Sequence, residues 1–275
     1  MQMQKIAVKE QIVKTVVKSG NGGAVWVPKD WLGQEVVVIL PDKPKLKTKE
    51  MIIHILEPYL KDIVSVFIYG SYARREETKG SDIDVMVITK DKTIEIDIKE
   101  QNLEIAVFEL DKFKRAIQKY PVMYRQIVKE AEPLINFHVL DELKKIEIDN
   151  NNFKGYISDT KQHINSNKEL IGLDEIDGGY VKSYSALYSA MLRLRGVFII
   201  QCIVNKENFS NKSFRKWTIK SGVTAGEFKE CYEAYRAVKN NENTKGLNIK
   251  ISVAYKLLEV LTKEITLIEA KIYGK

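Results

Sequence analysis

Two aspartates separated by one residue, Asp82 and Asp84, lead into an apolar run, and ten residues separate them from a preceding Gly70-Ser71 pair. Apolar runs at 63–69 and 85–88 flank the motif, and each is typical of a buried strand. Because residues i and i+2 of a strand share a face, the two carboxylates project side by side. Such a pair repels itself and favours a hard cation such as Mg²⁺, which proteins hold with a few carboxylates plus substrate phosphates.

This spacing resembles the nucleotidyltransferase fold of the DNA polymerase β superfamily, whose signature is Gly-Ser, a short helix and then Asp-x-Asp. In that family the Gly-Ser turn holds the triphosphate of an NTP, and the aspartates hold two Mg²⁺ ions, for which Mn²⁺ is an alternative. The resemblance implies that Gly70 and Ser71 orient the triphosphate of ATP or CTP, and that Asp82 and Asp84 are catalytic metal ligands. A glycine also lets the backbone approach a phosphate, and a helix that begins at Ser71 favours anions.

The family uses a third carboxylate on a neighbouring strand, and the main candidates for it are Glu104 and Asp97, ahead of Glu95 and Glu109. Alternation over 103–108 places Glu104 toward the cleft if the apolar residues of that run face the helices. Asp97 has similar geometry in the alternating run 94–98. We expect Glu104 to be the catalytic third ligand, with Asp97 as the alternative.

Cations lie between the two halves of the motif. Arg74 matches the Ala-Arg-Gly that is common in the family, whereas Arg75 stands where the family has glycine. A cation here would neutralise phosphate charge, and we expect Arg74, Lys79 and Ser81 to bind the nucleotide. The alternative is ordinary surface charge, as for Arg75 beside Glu76.

Composition is typical of a soluble globular protein, with 44% hydrophobic residues in 275. No apolar run reaches the roughly 18 residues of a membrane span, so we expect no membrane contact. The two cysteines are far apart and the three histidines are isolated, which indicates no zinc site and favours a reducing cytoplasm.

The net charge of +7 is uneven along the chain. Residues 151–275 carry 20 Lys/Arg against 13 Asp/Glu, which gives +7, whereas residues 51–150 carry 15 against 19, which gives −4. A basic flank can steer a polyanion such as RNA, although a Lys-rich surface is as often only a solvated face.

Basic and aromatic residues concentrate near residue 215, in the pattern that nucleic-acid backbones and bases use. The cluster consists of Lys212, Phe214, Arg215, Lys216, Trp217 and Lys220. We expect Lys212, Arg215, Lys216 and Trp217 to bind the acceptor, with core packing as the alternative for Trp217. The acceptor itself stays open between an RNA end such as that of tRNA, a protein hydroxyl and a small molecule such as an aminoglycoside. We favour an anionic acceptor.

Residues 1–42 predict a small β domain with a hairpin at Asn21-Gly22 and a further strand at 36–40. The glycine pattern resembles swapped-hairpin domains of the AbrB type, which implies a homodimer and contact with DNA. The alternative is a β appendage packed on the catalytic domain. A Pro- and Lys-rich linker follows at 41–47.

The rest of the chain predicts an α+β fold, with a mixed-sheet catalytic domain at 47–149 and a helical bundle at 150–275. The expected elements of the first are helix 48–61, strand 63–69, helix 71–77, strands 83–89, 94–98 and 103–108, and helices 111–119 and 121–132. The expected helices of the second are 155–171, 178–204, 211–219, 225–239 and 248–272. No histidine follows Arg193 or Arg195 at the spacing of HEPN ribonucleases. A DNA-binding or antitoxin-like regulator that only senses nucleotide is the alternative to an enzyme.

Overall fold

The computed structural model of the protein describes Lys14, 16–36, Val38, 48–78, 80–98 and 102–274. Contacts divide the chain into two units, Met1–Leu46 and Lys47–Lys275. In the first unit, β1 (Val17–Ser19) and β2 (Gly22–Ala24) pair antiparallel around a turn at Gly20, whose φ is +55°. A 3₁₀ turn follows at Lys29–Trp31. The predicted hairpin therefore forms.

The described part of this first unit buries none of its residues. Trp26, Leu32 and Val38 are each more than 70% exposed. Of the strand predicted at 36–40, Val36 and Val38 are not in a strand, and the other three positions lie outside the described residues. The hairpin alone thus forms no core.

The second unit combines a sheet with many helices, and the predicted α+β class is confirmed. Its first elements are α1 (Thr48–Leu56), β3 (Ile63–Tyr69), α2 (Gly70–Ala73), β4 (Ile83–Thr89), β5 (Leu103–Glu109), α3 (Leu110–Lys119), α4 (Pro121–Glu130), β6 (Glu132–Ile135) and α5 (Phe137–Lys145). Its later elements are α6 (Lys154–Ile176), α7 (Tyr184–Val204), α8 (Asn211–Ser221), α9 (Ala225–Lys239) and α10 (Ile251–Tyr273).

The four strands of the second unit are arranged in the order β5-β4-β3-β6. Strand β3 is antiparallel to both of its neighbours, and β4 is parallel to β5. The side chains of β4 alternate between two apolar clusters. Val85 and Val87 pack toward α1, and Met86 and Ile88 pack toward α3, α4 and α5. Burial on both faces explains why this strand reads as a continuous apolar run.

Three local predictions were wrong. Helix α2 ends at Ala73, because Arg75 takes a left-handed conformation with φ +55°. Residues 94–98 form no strand, although their three isoleucines pack on the sheet core as the alternation predicts. Strand β6 and helix α5 follow the predicted helix 121–132, in a stretch where no element was expected, with Asn136 left-handed between them.

The five long helices pack around one core in the helical region that the sequence predicts. Helix α7 lies at its centre, contacting α6, α9 and α10. Among the described residues α7 alone has the length and hydropathy of a membrane span, but half of that window is buried inside the protein. Its apolar composition therefore reflects its place in the core.

Candidate active site

The turn from β3 into α2 lies against Asp84, and only glycine fits there. Gly70 has φ +73°, which L side chains rarely adopt. A Cβ built on Gly70 would lie 2.9 Å from Cγ of Asp84 and would collide with its carboxylate oxygen. Both the backbone conformation and the close approach of the Asp84 carboxylate therefore require glycine at position 70.

Three carboxylates converge on this turn from two parallel strands. Asp84 on β4 pairs directly with Glu104 on β5 in the parallel register, and Asp82 stands just before β4. Leu103 and the other apolar residues of β5 that face α1 leave Glu104 on the face of Asp84, as predicted. Burial, together with Glu104 and Asp82, raises the pKa of Asp84 to about 6, although Lys239 and Arg74 oppose the shift. The site therefore concentrates negative charge.

A cavity of about 920 Å³ opens above these carboxylates. Of the residues predicted to act at the site, seven line it: Gly70, Ser71, Arg74, Ser81, Asp82, Asp84 and Glu104. Lys79 lies outside the described residues. Asp97 is exposed and is not among the residues that line the cavity. Its backbone N–H donates to the hydroxyl of Tyr59. The structure thus brings Glu104, rather than Asp97, to the aspartates.

A second wall of the cavity comes from the helical region, and its residues were not predicted from the sequence. It includes Arg195 on α7 and Tyr232, Tyr235, Arg236 and Lys239 on α9. The three cations form no ion pair with any residue that the structure describes. Lys239 is close enough to Asp84 to lower its pKa. The cavity therefore has an acidic floor and a basic wall.

The predicted acceptor-binding residues lie outside this cavity. Lys212, Arg215 and Lys216 are exposed on α8. Trp217 packs on the core of the helical region, with its ring centroid 5.0 Å from that of Phe198. Core packing thus accounts for Trp217. Residue Asn211, at the start of the same helix, does line the cavity.

Two buried ion pairs hold Arg74. Its Nε lies 2.9 Å from Glu76 and its Nη1 lies 2.6 Å from Glu130, a residue that the sequence analysis did not single out. Burial opposes the charge on Arg74, but the two carboxylates outweigh it and raise its pKa. Arg74 therefore lines the cavity while its charge is already neutralised by protein groups.

The donor set fits a hard divalent cation. Asp82, Asp84 and Glu104 offer only carboxylate oxygens, and burial together with the two neighbouring carboxylates raises the pKa of Asp84. No group of three acidic, histidine or cysteine side chains among the described residues is preassembled as a metal cluster. Mg²⁺ suits such an open arrangement, because it keeps several waters and binds one or two carboxylates together with substrate phosphates.

The chain is similar to known proteins in one family model and in solved structures. The family model described as polymerase beta, nucleotidyltransferase matches residues 50–151. A search of curated proteins finds no match. Among solved structures, the chain is similar to a nucleotidyltransferase-like protein from Exiguobacterium sibiricum 255-15, with 12% identity, a TM-score of 0.39, and coverage of 82% of this chain and 78% of that one.

It is also similar to a spectinomycin adenyltransferase from Enterococcus faecialis, solved with ATP and spectinomycin, with 12% identity and a TM-score of 0.42. That match covers 78% of this chain and 96% of the other. The family match spans both the Gly70 turn and the Asp82–Asp84 strand. Residues 50–151 therefore form a nucleotidyltransferase domain of the polymerase β type.

Proposed function

We propose that this protein transfers an NMP from an NTP, with ATP or CTP as donor, to a hydroxyl of RNA in a Mg²⁺-dependent reaction. The observation that carries this proposal is the pairing of Asp84 with Glu104 beside the Gly70 turn, at the floor of a cavity large enough for a nucleotide. Asp82 completes the carboxylate set.

The residues that line the cavity have separate roles in the proposed reaction. Asp82, Asp84 and Glu104 would hold the metal, which when bound supplies Lewis-acid stabilisation of phosphate oxygens. Gly70 and Ser71 leave room for the triphosphate beside α2. The acceptor oxygen bonds to the α-phosphorus, the bond from that phosphorus to the bridging oxygen breaks, pyrophosphate leaves, and the hydroxyl proton passes to water.

The basic wall supports an anionic substrate. Arg195, Arg236 and Lys239 line the same cavity as the three carboxylates and form no ion pair with a described residue. The three cations of the wall would attract a triphosphate, and a metal held by the carboxylates would offset their repulsion of it. The charge of Arg74 is already neutralised by Glu76 and Glu130. The basic wall would therefore supply the positive charge that the triphosphate needs.

Charge outside the cavity supports RNA as the acceptor. Lys212, Arg215, Lys216 and Lys220 are exposed on α8, whose first residue, Asn211, lines the cavity. A strand of RNA that reaches the cavity from this side would cross an exposed basic surface. A polycationic acceptor would meet repulsion there.

The experiment is incubation with each α-³²P-labelled NTP, Mg²⁺ and a cell extract, followed by separation of RNA, protein and small molecules. We expect label in RNA that is sensitive to ribonuclease, and none with Asp84→Asn. Label in protein or in a small metabolite would identify a different acceptor. NTP binding without any transfer would instead support a regulator that senses nucleotide.

Salt dependence provides the second arm of the test. If α8 contacts phosphates, RNA affinity should fall steeply with salt, and changing the four basic residues together to Gln should flatten that dependence. Undetectable RNA binding at low salt, or equal binding by the two proteins, would leave the α8 cluster as a solvated face.

A further inference from the structure

A buried guanidinium lies between two carboxylates at the edge of the catalytic turn. The side chain of Arg74 is only 12% exposed, and it is held by Glu76 through Nε and by Glu130 through Nη1. The ring of Phe209 lies beneath it, with its centroid 5.7 Å from Cζ. The planar fork of arginine can reach two partners in different directions at once, which an ammonium group does less well.

Glu130 connects this guanidinium to the catalytic turn. Its side chain is 7% exposed, and Oε1 accepts both the Arg74 contact and the backbone N–H of Gly70, at 2.8 Å. Its other oxygen accepts from Nε2 of Gln126, at 3.1 Å. The carboxylate of Glu130 therefore fixes the amide of the residue that lies against Asp84.

Glu76 connects the same guanidinium to the helical region. Its carboxylate accepts from the backbone N–H of Asn211, at 3.1 Å, and from Nδ2 of the same residue, at 2.9 Å. Asn211 is the first residue of α8, where a carboxylate also interacts favourably with the helix dipole. Glu76 thus ties the chain just after α2 to a helix 135 residues away in sequence.

We propose that Arg74 is a positioning residue that couples the Gly70 turn to the first turn of α8 through Glu130 and Glu76, and that it is not a phosphate ligand. The inference rests on the proposed function for the nature of the nucleotide. A triphosphate that reached Arg74 would meet a guanidinium whose charge Glu76 and Glu130 already neutralise. In contrast, the cations of the basic wall form no ion pair with described residues.

Hydrogen exchange tests the coupling without any nucleotide. Glu130→Gln keeps the shape of its side chain and removes the charge on one side of Arg74, and Glu76→Gln does so on the other. We expect each variant to speed exchange about tenfold both in residues 69–75 and in residues 209–214. Glu77→Gln, at an exposed neighbouring position, is the matched control and should change neither segment. Effects confined to the side of the mutated residue would overturn the proposal.

Nucleotide affinity tests the role, with calorimetric titration of Mg-ATP and Mg-CTP. We expect Arg74→Lys and Arg74→Gln to weaken binding equally, roughly tenfold, because a lysine cannot bridge both carboxylates. Glu130→Gln should weaken binding as well, and the double variant should be no weaker than Arg74→Gln alone. A phosphate ligand predicts the opposite: lysine would retain most of the affinity, and Glu130→Gln would tighten binding by releasing Arg74.

The two measurements separate this inference from the proposed function. If wild type binds neither nucleotide, the proposed function fails, while the exchange experiment still decides whether Arg74 couples the two segments. If Arg74→Gln does not fold, Glu76→Gln and Glu130→Gln still test the coupling, because each removes the charge of one partner of Arg74.

Discussion

Replacing Asp84 by Asn should make the protein more stable while it abolishes catalysis. Asp84 is partly buried beside Glu104 and Asp82, and its pKa rises from 3.8 to about 6. A shift of roughly two units corresponds to about 3 kcal/mol. Because the side chain is partly exposed, solvent screening reduces this to about 1–2 kcal/mol. Asn keeps the shape and removes the charge, so it should relieve this cost.

The sign of the pH dependence follows from the direction of the shift. The folded state binds a proton on Asp84 more tightly than the unfolded state does, so this group's contribution is most favourable below about pH 4. The contribution is lost as the pH rises through about 6. The stability difference between Asp84→Asn and wild type should therefore be full at pH 7.5 and should shrink toward pH 4.5.

Thermal unfolding at both pH values, in the presence of EDTA, measures this difference. We expect a rise in Tm of about 2–8 °C at pH 7.5. Asp141→Asn, at an exposed position on α5, is the control and should leave Tm unchanged. NMP transfer by Asp84→Asn should fall on the order of 10³-fold. A variant that is less stable than wild type, or a difference equal at both pH values, would refute the reasoning about repulsion.

Three further predictions follow from other features. Glu104→Gln should lower the transfer rate on the order of 10²-fold while Asp97→Asn lowers it less than about threefold, because only Glu104 faces Asp84; the reverse order in a kinetic assay would move the third ligand to Asp97. Arg75→Gly should raise the free energy of unfolding in urea by about 0.5–1 kcal/mol, because φ +55° is strained for arginine and natural for glycine; a decrease would show that the Arg75 side chain makes stabilising contacts. Light scattering should find a dimer for the full chain and a monomer for a chain that begins at Lys47, because the described residues of the first unit leave large apolar side chains exposed; a monomeric full chain would contradict this.

Local periodicity in the sequence predicts the strands of the site and the side chains that they present. Strands β3 and β4 follow from their apolar runs, and Glu104 follows from alternation in β5. Apolar runs and alternation depend only on residues that are close together in the sequence. Alternation also placed the isoleucines of 94–98 correctly against the core, but it did not determine whether that backbone finds a partner strand.

The parts that escaped prediction depend on long-range contacts. Glu130 reaches Gly70 across 60 residues, and Glu76 reaches Asn211 across 135. The basic wall could have been suspected, because Tyr232, Tyr235, Arg236 and Lys239 share one face of a helix at i, i+3, i+4 and i+7. Nothing local indicates that this face meets the acidic floor, since the packing of α9 decides that.

The position of Glu104 gives the site an uneven resistance to local unfolding. Asp84 lies on β4, which is bonded on both sides, whereas Glu104 lies on β5, at the end of the order of described strands. Outer strands open at lower free energy than central ones. Mild denaturant should therefore detach one of the three carboxylates while the rest of the sheet persists, so catalytic inactivation should precede global unfolding. Transfer activity would then report on the integrity of a single strand rather than on that of the whole fold.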